Sequence, residues 1–441
     1  MWYNGIDQNP IKITFERNFT MTNYTTLGSN LKRGILRFSE KINAGLSRPD
    51  FKFVSQMIYG ILSSQSCHLS KIARTLDETT SLKKTIDRLS RNLGEFTEGE
   101  RLFDGYMHKI KPSVSDKTIL IVDDSDITKP CSEKLEALCE VRDGSTGEMG
   151  IGYHTIGVTA LTPEKKQPIG VYTRVYSAAE KDFVSADEET LKVLRFLGIH
   201  FKKNNIRAFD RGYDANVYYE YLIDNREKFI IRAKKNRSVL YKGKAVNILT
   251  LANRFKGKYS LKFRKKNGLQ ADCKITIVPV KLYCRPEEDL NLVVCYGFGK
   301  IPLMLLTNLK SDDNRLAVAV TKVYLMRWRI EEFYGFKKQQ FNFEDFRVRS
   351  LNSIRNLDML LTIAIGYIGM MSEKSDERAI TAEIIAISKR IYDTPKFMFY
   401  AIADGLFFVL IKCKQGIADL LRKRPKSTQL SFLHDVGFAW G

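Results

Sequence analysis

Apolar and polar positions along this chain change period several times, and each change predicts an element. Thr118-Ile-Leu-Ile-Val122 is a short run rich in β-branched residues between Pro112 and Pro130, which predicts a buried strand. It ends in Asp123-Asp124-Ser125-Asp126. A shorter stretch, Asn205-Ile-Arg-Ala-Phe209, ends in Asp210-Arg-Gly-Tyr-Asp214. Val217, Tyr221 and Leu222 then fall at helical spacing, and Phe229-Ile-Ile-Arg232 predicts another strand. Strand, acid, helix, strand is the local order of an α/β layer.

Further on, Tyr324-Leu-Met-Arg327-Trp-Arg-Ile-Glu331-Glu-Phe-Tyr-Gly-Phe-Lys-Lys338 predicts one amphipathic helix. At about 100° per residue, Tyr324, Arg327, Glu331 and Lys338 share a stripe roughly 60° wide, and Met326, Ile330, Phe333 and Phe336 form the opposite, core-facing side. Ordinary salt-bridge pairs at these spacings are the competing reading of the stripe. Glu332 points about 80° away from Glu331.

Between these blocks, residues 236–307 read as alternating strands rich in Lys and Arg, which predicts an antiparallel β insertion. Lys242, Lys244, Lys256, Lys258, Lys262, Arg264, Lys265 and Lys266 would form its basic face. Residues 1–115 alternate helical patterns with polar breaks. Two short helices, over 68–76 and 82–92, are compatible with helix-turn-helix geometry, a plain bundle being an equal reading; because Lys83, Lys84, Arg88 and Arg91 crowd the second helix, 1–115 is expected to be a DNA-binding region. The apolar stretch 359–371 is too short to span a bilayer and reads as a buried helix. Residues 382–392 and 397–421 predict further helices, followed by the basic cluster Arg422-Lys-Arg-Lys within 422–426.

Charge narrows the function. Lys and Arg outnumber Asp and Glu by 71 to 50, a net charge of +21, as expected of a protein that neutralises many phosphates. The N-terminus lacks the layout of a secretion signal, and seven irregularly spaced cysteines suggest free thiols in a reducing compartment, so a cytoplasmic protein acting on DNA is expected. Metal chemistry, if present, should be hard: CxxC pairs are lacking and the five His are scattered singly, whereas carboxylates at two strand ends plus one from a helix suit Mg²⁺ or Mn²⁺. Neither a Gly-rich phosphate loop nor a nucleophile elbow points to a small-molecule cofactor or enzyme.

The ordered set Asp-x-Ser after a strand, Asp-Arg-x-x-Asp, and Tyr-x2-Arg-x3-Glu-x6-Lys resembles the DDE transposases of the insertion-sequence-four family, which includes the transposases of transposons five and ten. The similarity covers roughly 116–350. It implies a ribonuclease H-like catalytic core carrying the β insertion, flanked by helical regions over 1–115 and 351–441. It implies that Asp123, Asp210 and Glu331 are catalytic and hold two Mg²⁺ or Mn²⁺ ions, with Asp123 preferred over Asp124 and Asp126 because the family's acid lies two before the Ser or Thr. Tyr324, Arg327 and Lys338 would grip transposon-end DNA, joined by Arg232 and by Trp328, whose competing role is packing. Asp214 reads as a helix N-cap. The implied activity is metal-dependent cleavage and strand transfer by a homodimer in a synaptic complex with DNA ends and target DNA, in a prokaryotic cytoplasm on the nucleoid. Alternatives are a nuclease of the same fold without strand transfer and a domesticated DNA-binding protein. One departure stands out: some relatives carry a Trp near the last insertion strand that holds a flipped base. Here that segment is Ile301-Pro-Leu-Met-Leu-Leu-Thr307, with Met304 the candidate wedge.

Overall fold

The computed structural model describes residues 24–422 apart from 44, 133, 145, 162–166, 265–269, 311–314, 373–377, 389–397 and 414–415. Five helices come first: α1 (Tyr24–Ile42), α2 (Arg48–Ser64), α3 (Leu69–Leu76), α4 (Leu82–Glu95) and α5 (Gly99–Ile110). Ser47 caps α2 by accepting the Asp50 N–H, and Pro49 fits the first turn, where its missing donor costs nothing. The polar turn between α3 and α4 is tied to α2 by Glu78. Its carboxylate accepts from Gln56 Nε2 at 2.7 Å, Arg88 Nη2 at 2.7 Å and Thr85 Oγ1 at 3.2 Å, while Arg88 Nη1 donates to Gln56 Oε1 at 2.8 Å. Arg88 thus spends its guanidinium on Gln56 and Glu78. Lys83, Lys84 and Arg91 are exposed.

The sheet begins with β1 (Ile119–Thr128), β2 (Cys139–Arg142), β3 (Met149–Leu161) and β4 (Pro168–Tyr176), with β3 antiparallel to each of the other three. After α6 (Ala186–His200) come β5 (Ile206–Phe209), α7 (Asn216–Asp224) and β6 (Phe229–Arg232), and here the direction changes: β5 is parallel to β1, and β6 to β5. A strand–helix–strand passage returning parallel requires a crossover, and α7 supplies it. The strand order across this half is β4-β3-β1-β5-β6.

Next come β7 (Ser238–Tyr241), β8 (Lys244–Asn247), α8 (Ile248–Ala252), β9 (Tyr259–Arg264), β10 (Gln270–Leu282), β11 (Arg285–Tyr296) and β12 (Leu303–Thr307). All their pairings are antiparallel. β12 pairs antiparallel with β6, so the insertion extends the first sheet instead of forming a separate layer, and the described residues share one twelve-stranded sheet. Lys242, Lys244, Lys256, Lys258 and Lys262 are exposed on it; Lys265 and Lys266 lie outside the described residues. Met304 is 3% exposed, paired with Val294 in mid-sheet, so it is core and not a wedge.

The remaining helices are α9 (Arg315–Met326), α10 (Arg329–Gln340), α11 (Leu351–Met371), α12 (Arg378–Ile387), α13 (Phe399–Lys412) and α14 (Ala418–Arg422). The helix expected over 324–338 is interrupted at Arg327 and Trp328. There the backbone tightens into i→i+3 bonds, Arg327 N to Tyr324 O, Ile330 N to Arg327 O and Glu331 N to Trp328 O, at 3.0–3.1 Å. Beyond Lys412 the chain also leaves the helix expected to run to 421, while the start of that expectation and the basic cluster past Arg422 lie outside the described residues.

The two faces of β1 meet different partners because side chains alternate across a strand. Ile119 and Ile121 pack with Met326, Ile330 and Tyr334 of α9 and α10. Leu120 and Val122 belong to the large core on the other side. Helix α11 packs on β4 and on α2, α4 and α5, and α13 packs on α1 and α2, so helices from both ends of the chain share one bundle. Ser350 caps α11 by accepting the Ser353 N–H. By length and composition α11 could cross a membrane, but 94% of its most apolar window is buried inside the fold. None of the seven cysteines, all among the described residues, forms a disulfide bond.

Candidate active site

The parallel ladder ends at Val122 and Phe209, so Asp210 follows the end of β5 beside Asp123, which is not at a strand end as expected: β1 runs on through it to Thr128, paired with β3. Asp123 continues the face of Ile119 and Ile121, toward α9 and α10; Asp124 takes the opposite face, where its carboxylate accepts from Tyr213 Oη at 2.5 Å. Asp126 Oδ1 accepts the Gly144 N–H at 3.0 Å and orders the β2–β3 turn. The Asp123 carboxylate meets the interrupted helix: Arg327 Nη1 reaches Asp123 Oδ2 at 2.7 Å and Nη2 reaches Glu331 Oε1 at 3.2 Å. Tyr324 Oη donates to Asp210 Oδ1 at 3.2 Å, and Arg232 Nη1 stands 3.9 Å from the same oxygen.

Electrostatics separate the two aspartates. Burial pushes the Asp123 carboxyl up to about 7, and the neighbouring Asp210, Asp124 and Glu331 add to that effect. The Arg327 contact works in the other direction, but one guanidinium shared among several carboxylates does not offset burial and their repulsion together. Burial also disfavours the Asp210 carboxylate, yet Arg327, the Arg211 amide, Arg232 and the Tyr324 hydroxyl outweigh it and hold Asp210 below the ordinary range. Glu331 is the open member, with a side chain 62% exposed against 12% for Arg327.

The expected DNA-gripping residues are placed unequally. Lys338 Nζ donates to the Asp126 carbonyl at 2.9 Å and pairs with Glu344 at 2.9 Å, at the same end of β1. Trp328 precedes α10, half-buried against the insertion core, with the Arg329 guanidinium 4.8 Å from its ring. Glu332 pairs with Arg329 at 2.5 Å and faces away from the acids. Asp214 is not an N-cap: Ala215 holds that position, and Asp214 instead accepts from Arg237 Nε at 2.8 Å, Lys234 N at 2.7 Å and Tyr219 Oη at 2.8 Å. Its buried carboxylate organises the 234–237 turn because a guanidinium and two further donors outcompete a single capping amide.

The donor set suits a hard divalent ion, being all carboxylate oxygen. In the arrangement observed, however, the acids surround Arg327. Among the described residues, no three His, Cys, Asp or Glu side chains form a group that could hold a metal ion as they stand.

Several contributors were not singled out from the sequence. Tyr334 lies one turn after Glu331, and its hydroxyl donates to the Asp123 carbonyl at 2.7 Å. Gly157 sits opposite Asp123 on β3, where a Cβ would fall 2.4 Å from Tyr334 Oη and 2.9 Å from its Cζ. Gly157→Ala should therefore displace a rigid buried ring and cost about 1–3 kcal/mol in thermal or urea unfolding. Tyr334→Phe in the same chain should recover part of the loss, and an unfolding midpoint unchanged by Gly157→Ala would contradict this packing. Lys337, adjacent to Lys338, is only 3% exposed and pairs with Asp358 of α11, itself fully buried.

Carboxylates on two neighbouring parallel strands, facing a helix with Arg, Glu and Lys, define a candidate phosphoryl-transfer centre in a mixed α/β protein. Residues 115–366, more than half of the chain, match the family described as Transposase DDE domain, and the chain belongs to that family of DNA-cutting transposases. DDE transposases generally use divalent metal ions. No curated protein matches the chain. Among solved structures, the chain is similar to a piggyBac transposase seen by cryo-electron microscopy in a synaptic complex with hairpin DNA. The identity is 10% over 92% of this chain and 82% of that one, with a TM-score of 0.46.

Proposed function

We propose that this chain is a cut-and-paste transposase of the insertion-sequence-four type, acting on the terminal inverted repeats of its own element. The observation that carries the reading is the side-by-side placement of Asp123 and Asp210 just past the last pair of the parallel β1–β5 ladder, with Arg327 and Glu331 beside them. A ribonuclease H-like core over 116–350 is supported by the order β4-β3-β1-β5-β6, in which an antiparallel trio is followed by two parallel strands. Residues 236–307 are its insertion, and 1–115 and 351–441 its helical flanks.

Asp123, Asp210 and Glu331 are the residues that would hold two Mg²⁺ or Mn²⁺ ions, which when bound supply an activated oxygen nucleophile and stabilise the leaving oxygen of a phosphodiester. The protein's own groups position the DNA. Arg327 offers a planar fork matched to phosphate oxygens, Lys338 a compact charge, and Arg232 a further cation beside Asp210. Tyr324 orients Asp210 through its hydroxyl, and Trp328 lines the same approach. The partners are element ends and target DNA, and two copies of the chain would bring two ends together. The setting is a prokaryotic cytoplasm, on the nucleoid.

The test is incubation of the full chain with labelled DNA bearing the repeats that bound its gene, supercoiled plasmid and Mg²⁺. Cut ends joined to plasmid are expected. Cut ends without joining would favour a nuclease of the same fold, and binding alone would favour a domesticated DNA-binding protein.

A further inference from the structure

Arg327 makes contacts that are at odds with a phosphate clamp and a metal site operating independently. Its two terminal nitrogens are spent on carboxylates, 2.7 Å from Asp123 Oδ2 and 3.2 Å from Glu331 Oε1, and its side chain is 12% exposed. A cation lodged between the acids competes directly with any divalent ion that needs the same oxygens. A phosphate competes for the same guanidinium, since phosphate and carboxylate both match the fork of an Arg. The backbone fits a residue with two positions. Arg327 lies in the tightened turn between α9 and α10, outside either α-helix, and Glu331 is open to solvent.

Resting on the reading above, we propose that Arg327 is a two-position switch that couples DNA to metal. In the free protein it bridges Asp123 to Glu331 and holds the acids in an arrangement closed to a divalent ion. When a phosphodiester draws the guanidinium onto itself, both carboxylates are released to face the ion. Linkage makes the coupling reciprocal, so DNA tightens metal binding by the same factor as metal tightens DNA binding. The protein is thereby kept from assembling a hydrolytic centre away from DNA.

The experiment measures Mn²⁺ binding by electron paramagnetic resonance on the full chain, with and without a saturating short mixed-sequence duplex, correcting for Mn²⁺ held by the duplex alone. In the wild type the duplex should tighten Mn²⁺ binding about tenfold, within the usual range of such couplings. Arg327→Met should bind Mn²⁺ correspondingly more tightly without DNA, and the duplex should then add little. Arg327→Gln, a planar uncharged substitute, is the second variant and should behave in the same way, with cooperative unfolding showing that it is folded. If both variants bind Mn²⁺ no more tightly than the wild type, or if the duplex effect survives them unchanged, the switch is wrong. Asp123→Asn separates the two levels. If it abolishes Mn²⁺ binding while the Arg327 variants change nothing, only the switch fails; if it binds Mn²⁺ like the wild type, the assigned acids fail as well.

Discussion

Glu331→Gln should reduce metal-dependent DNA cleavage by more than about 100-fold while leaving the fold and DNA binding in place. Groups that merely orient metal ligands typically cost 10- to 100-fold when removed, so loss of Glu331, proposed here as a direct ligand, should exceed that range. The substitution keeps size and hydrogen bonding and removes only charge. Because the Glu331 side chain is 62% exposed and its pairing with Arg327 spans one helical turn, little stability rides on it. Glu332→Gln is the internal contrast: that carboxylate pairs with Arg329, away from Asp123 and Asp210, and its loss should leave cleavage within severalfold of the wild type. Gel-resolved cleavage of labelled DNA under single-turnover conditions measures both. Cleavage by Glu331→Gln within tenfold of the wild type would sink the assignment of the third acid.

The second large effect concerns stability. Lys337 and Asp358 are buried together between α10, α11 and β4, where the Lys337 ammonium also reaches Thr362 Oγ1 at 3.2 Å and Thr173 donates its hydroxyl to Asp358. The ammonium lies 5.1 Å from the ring of Phe343 and 5.8 Å from that of Phe333. Removing one partner strands the other charge in the core, so Lys337→Met should cost roughly 3–5 kcal/mol in chemical unfolding. That is a large share of the roughly 5–15 kcal/mol that holds a typical domain together. Replacing both, Lys337→Met with Asp358→Leu, should recover much of the loss, since apolar groups of similar volume need no pairing. A single variant that costs less than about 1 kcal/mol would show that water reaches the pair.

Local pattern made much of this legible. The β-branched run ending at Val122 and the stretch ending at Phe209 are strands because short apolar runs between breakers have few other uses. Tyr324 and Arg327 of the stripe reach Asp210 and Asp123, Glu331 joins them through Arg327, and Met326, Ile330, Phe333 and Phe336 are buried as their spacing required. What stayed hidden depends on residues distant in sequence. The break at Arg327 and Trp328 has neither Gly nor Pro to announce it; contacts to Asp123 on β1 accompany it. Asp214 looked like a cap until Arg237 and Lys234 came round to it. Asp358 lies just before the apolar stretch 359–371, and nothing near it in sequence names Lys337 as its partner. Nothing in the local pattern separates Arg88 from Lys83, Lys84 and Arg91; its pairing with Glu78 depends on the turn that brings Glu78 back to α2.

The shared bundle also constrains how the protein is made. Near one end of the described chain, the Tyr24 carbonyl accepts from Cys413 Sγ at 3.2 Å near the other, and Gly28 lies against the same sulfur so closely that a Cβ there would overlap it. The first five helices therefore leave the ribosome long before α11 and α13 exist to cover them. Synthesis at about 5–20 residues per second leaves their apolar faces waiting for many seconds, a window in which chaperones rather than native contacts must shield them. Contacts that span nearly the whole polypeptide also slow folding, because the entropy of closing so long a loop is lost before any packing compensates. A nascent chain arrested before α13 should thus remain protease-sensitive throughout its leading helices.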